Sequence, residues 1–144
     1  MTAPPWTERR PPELQALVLR GAISTPADLT ALRRDLHEEV LRLGLPDGVG
    51  RDDVERLLLS FEELTSNGLR HGRDPVCVRV TQDAAGWLID VTDAAPENRP
   101  APAVGRDPAH GGMGLYLVAR LSAAHGWWVS RGRKHVWAHV QAVS

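Results

Sequence analysis

Leu29, Leu32, Leu36, Val40 and Leu43 recur at spacings of three and four, and Val54, Leu57, Leu58, Phe61 and Leu64 repeat the pattern after the break LGLPDGVG. Each set lies on one stripe of a helix, and a stripe this apolar must be buried against something flat. The ends agree. Thr25 is a helix N-cap with Pro26 at the first helical position, where its missing N–H costs nothing. Asp52 and Asp53 suit the positive end of a second helix, which runs to Gly72.

The flat partner is written in the remaining segments. ELQALVLRGA reads as a short strand, PVCVRVTQ and GWLIDVTD as two strands joined by DAAG, and WWVS with HVWAHV as a last hairpin across RGRK. LYLVARLSAAHG reads as a third helix, stopped by Gly126. Residues 94–114, rich in Pro, Gly and Ala, carry neither period, and a loop of that length in a compact domain is functional or disordered. The order strand, helix, helix, two strands, loop, helix, two strands predicts a two-layer α/β (α+β) sandwich. Its helices cover one face of a mixed, mainly antiparallel sheet. Residues 1–12, with four prolines and several charges, are expected to be a flexible tail, and 13–144 a single domain.

Composition excludes several functions. A net charge of −1 provides no bulk positive field for direct binding of nucleic acid or an anionic membrane. Cys77 is the only cysteine, so an internal disulfide and a cysteine zinc cluster are ruled out; a small buried hydrophobe is its expected role. No apolar run is long enough to span a bilayer and the N-terminus has no signal-type apolar region, which predicts a cytoplasmic protein. Basic residues are nearly all arginine; Lys134 is the single lysine and is read as a trace of genome composition.

Three pieces carry chemistry. In FEELTSNGLRHG, Glu63, Asn67 and His71 fall at i, i+4 and i+8, on one stripe of the second helix. The stripe faces either water or a ligand: Asn67 offers a hard oxygen to magnesium, and Glu63 one turn earlier can act as a general base. His71 orients a phosphate or caps the helix C-terminus, and Glu62, about 100° away round the helix, should lie outside the site. Asp93, at a strand end, either accepts a hydrogen bond from a ligand amine or initiates a turn, while Asp90 should face the other side of the sheet. Gly111, Gly112 and Gly114 precede the third helix, as a phosphate cradle or as a hinge.

Taken in order, these pieces resemble the ATP-binding domain shared by DNA gyrase, the large heat-shock chaperones, histidine kinases and MutL, the Bergerat-type fold. The resemblance is closest to the small anti-sigma factor kinases of the RsbW and SpoIIAB type, and it spans residues 14–141. EELTSNGLRH is similar to that family's N box, DVTDAAPE to its first glycine box, GGMGLYLV to its second, and KHVWAHV to its closing strand. The resemblance implies Glu63 as general base, Asn67 as the Mg²⁺ ligand and Asp93 as the adenine-binding carboxylate. It also implies a nucleotide site that includes His71, Gly112, Met113, Gly114 and Leu115. Arg106 or Arg70 would neutralise γ-phosphate charge.

Two departures stand out. Ala94 and Ala95 follow Asp93 where the family continues Asp-x-Gly, which predicts weaker nucleotide binding. Gly68 replaces the usual alanine after the N-box asparagine, at a helix cost of roughly 1 kcal/mol. The implied function is an ATP- and Mg²⁺-dependent serine/threonine kinase that sequesters a sigma factor and phosphorylates an anti-anti-sigma antagonist. The alternatives are a non-catalytic nucleotide-dependent or purely protein-binding switch, and a detached histidine-kinase catalytic domain. Adjacent Trp127 and Trp128 should point to opposite faces of a strand, the outward one marking a protein interface such as that of a homodimer.

Overall fold

The computed structural model describes residues 5–14, 16–97, 100 and 113–143. Eight elements follow one another: β1 (Ala16–Ile23), α1 (Pro26–Leu43), α2 (Arg51–His71), β2 (Val76–Gln82), β3 (Gly86–Asp93), α3 (Met113–Leu121), β4 (Ala124–Ser130) and β5 (Arg133–Gln141). The five strands form one sheet in the order β1-β2-β3-β5-β4, and every neighbouring pair is antiparallel. The expected mixed character reduces to one isolated parallel bridge, Glu8 with Trp127.

Local chemistry sets the boundaries. Thr25 caps α1 in a reciprocal box, with the Asp28 amide donating to Thr25 Oγ1 at 3.2 Å and the Thr25 amide to Asp28 Oδ2 at 3.1 Å. Arg131 and Gly132, at φ 53° and 75°, form the two-residue turn between β4 and β5, the handedness that matches strand twist. The apolar stripes of the helices meet the inward side chains of Val76, Val78, Val80, Ile89, Val91, Val136, Ala138 and Val140 in one core. Gly68 explains how closely α2 lies on the sheet: a Cβ there would stand 3.1 Å from Val91 and 3.2 Å from Val76.

Three expectations need correction. α3 ends at Leu121, not at Gly126; Ala124, His125 and Gly126 are strand, paired with His139, Ala138 and Trp137 of β5. Pairing with β5 overrides the helical tendency of two alanines. Cys77 is only half-buried, on the sheet face away from the helices. Residues 5–10 pack instead of trailing as a tail. Trp6 is buried against α3 and His125, Thr7 and Arg9 bond the backbone of Trp127, and the Arg9 and Arg10 guanidinium groups lie over Trp137 and Trp128. Gly126 makes room for this segment, since a Cβ there would stand 2.8 Å from Arg9. Among the described residues no helix is long and apolar enough to cross a membrane.

Candidate functional site

The polar stripe of α2 faces the first turn of α3 across a narrow cleft. Glu63, Ser66, Asn67, Arg70 and His71 line this cleft, of about 10 Å³, with Gly114 and Leu115 of α3 on its far side. Glu62 turns away, as its angle on the helix requires, to an ion pair with Arg33 of α1 at 3.5 Å. Burial raises the Glu63 carboxyl above its ordinary value and the neighbouring Glu62 adds to the effect, against the pull of Arg70. A carboxylate with its proton affinity raised in this way is suited to accept a proton from a hydroxyl.

Gly114 packs directly against the Glu63 side chain. A Cβ at this position would stand 2.2 Å from Glu63 Oε2, so the first turn of α3 meets the carboxylate backbone-first. Leu115 points its side chain into the core and contributes only backbone to the cleft. Its carbonyl accepts a hydrogen bond from the Trp6 indole at 3.2 Å. Met113 opens the helix, whereas Arg106, Gly111 and Gly112 lie outside the described residues.

Asp93 stands apart from this cleft, behind the C-terminal cap of α2. A Cβ on the cap residue Gly72 would come within 2.8 Å of the Asp93 side chain. The Asp93 carboxylate is 2% exposed; Oδ1 accepts the Ala95 amide at 2.7 Å and Oδ2 lies 3.3 Å from Lys134 Nζ. The bond to Ala95 is the turn that the sequence offered as one reading of Asp93. Ala95, the departure from Asp-x-Gly, is itself buried, and Arg73 holds the segment: its carbonyl accepts from the Ala94 amide, and its guanidinium donates to the Ala94 carbonyl and pairs with Glu97 at 2.5 Å.

Glu63, Asn67, His71, Gly114 and Leu115 therefore share one cleft, while Asp93 lies under its rim. At about 10 Å³ the cleft is far below the roughly 300–1,000 Å³ of ligand sites. Among the described residues no three His, Cys, Asp or Glu side chains cluster around a metal position. Asn67 brings a hard side-chain oxygen to the cleft, the type of ligand Mg²⁺ takes alongside phosphates and water. Lys134, Gly72 and Trp6 border the site and were not singled out in the sequence. The one signal for Lys134 was its being a lone lysine among arginines.

Residues 23–139 match the family model of the histidine kinase-like ATPase domain. The fold is similar to the crystal structure of the RsbU and RsbW domains of Rv1364c from Mycobacterium tuberculosis, with a TM-score of 0.56 and 15% identity. That match covers 88% of this chain and 33% of the solved one, so the chain spans about a third of that protein's length. No curated protein matches significantly.

Proposed function

The chain belongs to the histidine kinase-like ATPase domain family, and from that premise we propose that it is a cytoplasmic, ATP-dependent serine/threonine kinase acting as an anti-sigma factor. It would sequester a sigma factor and phosphorylate a serine on an anti-anti-sigma antagonist, with a second copy of itself as a further partner. The observation that carries this reading is Glu63, half-buried with raised proton affinity, facing the first turn of α3 across Gly114. A base beside a helix N-terminus is the pairing that phosphoryl transfer to a hydroxyl uses.

In this reading Glu63 takes the serine hydroxyl proton and Asn67 supplies a side-chain oxygen to Mg²⁺. The backbone N–H groups of Gly112, Met113, Gly114 and Leu115 receive phosphate oxygens, with His71 and Arg70 at the cleft's open side. Asp93 takes the exocyclic amine of the base. Bound Mg-ATP supplies the transferable phosphoryl group.

The experiment is transfer from labelled ATP to a serine of an anti-anti-sigma antagonist protein. Glu63→Gln should lower the rate by about 10²- to 10⁴-fold with nucleotide binding retained. The second reading, a switch without transfer, is favoured by the Lys134 ammonium already seated on Asp93. Binding without transfer in the wild type would establish it.

A further inference from the structure

Asp93 and Lys134 are register partners across β3 and β5, their side chains 2% and 3% exposed. A buried ion pair is weak grounds for stability, because desolvation of both charges offsets their attraction. Its placement has a chemical consequence. One oxygen of Asp93 is held by the Ala95 amide and the other by the ammonium, so a base that reached this buried carboxylate would meet an acceptor and a cationic donor side by side. At the 6-position itself a carboxylate accepts from an amino group and repels an oxo oxygen. An ammonium beside it reverses the second effect, donating to the oxo group, and it competes with the 6-amino group for Oδ2 through a charge-assisted bond.

We propose that Lys134 sets the base selectivity of the nucleotide site, making the Asp93–Lys134 pair a reader that accepts both 6-amino and 6-oxo purine nucleotides. This rests on the nucleotide-binding reading above and adds to it the substrate class.

The test is calorimetric titration of the intact protein with ATP and with inosine triphosphate, in the wild type and in Lys134→Thr, each folded state checked by thermal melting. The wild type should bind the two within about threefold of each other. Lys134→Thr should shift the affinity ratio towards ATP by at least tenfold, an effect on the scale of a lost polar recognition contact and one that a purely structural lysine would not cause. An unchanged ratio in a folded Lys134→Thr would overturn the proposal. So would a wild type that prefers ATP by a hundredfold, a measurement independent of whether the variant folds. Binding of neither nucleotide to either protein would overturn the nucleotide reading itself, and this inference with it.

Discussion

Glu63 sits in an environment chosen against its own charge. Its carboxyl is half-buried and is pushed above the ordinary value of 4.5 by burial first and the charge of neighbouring Glu62 second, against the pull of Arg70. The folded chain therefore holds this proton to higher pH than the unfolded chain does. The stability contributed by the neutral form is complete below 4.5 and is lost as pH rises through the folded value. Glu63→Gln keeps the shape and removes the charge. It should melt with the wild type at about pH 4 and above it at neutral pH. A wild type more stable than Glu63→Gln at neutral pH would contradict the unfavourable charge. Strain of this kind is usual where function competes with folding.

Within elements, the apolar stripes of α1 and α2 were legible because helical spacing is a local property, and so was the polar stripe of α2. What links the elements was not. Asp53 reads in the sequence as a helix-dipole aspartate, yet its carboxylate accepts from the Gly50 and Val143 amides and pairs with Arg56 at 2.5 Å. Arg56 also donates to the Leu121 carbonyl at 2.9 Å and the Gln141 carbonyl at 2.5 Å, tying α2 to the ends of α3 and β5. Arg56→Ala leaves a buried carboxylate and two carbonyls short of a donor. It should cost about 3 kcal/mol in denaturant unfolding, where a loss under about 1 kcal/mol would mean that water replaces the guanidinium. The end of α3 was misjudged for the same reason: Ala124 to Gly126 has no decisive local preference, and only pairing with β5 makes it strand.

Across the whole molecule the two-layer architecture was legible, but the course of the N-terminal residues was not. Composition averages over prolines and charges and hides one tryptophan, whose burial and bond to the Leu115 carbonyl join the N-terminal segment to the helix that closes the cleft. Trp6→Ala should lower stability by about 3 to 5 kcal/mol, measured by denaturant unfolding; near-neutrality would mean that the segment contributes nothing to the core. Of the site, the residues on α2 and α3 could be placed by spacing. The seating of Lys134 on Asp93 could not, because it depends on which strands are neighbours. The central claim, that this fold holds a working Mg-nucleotide site, is tested most directly by calorimetric titration of the purified protein with ATP, with and without Mg²⁺, alongside Asn67→Ala. Saturable binding that strengthens with Mg²⁺, and loses that dependence in Asn67→Ala, is the result expected. No binding at millimolar ATP in the folded wild type would contradict it and leave the chain a protein-binding scaffold.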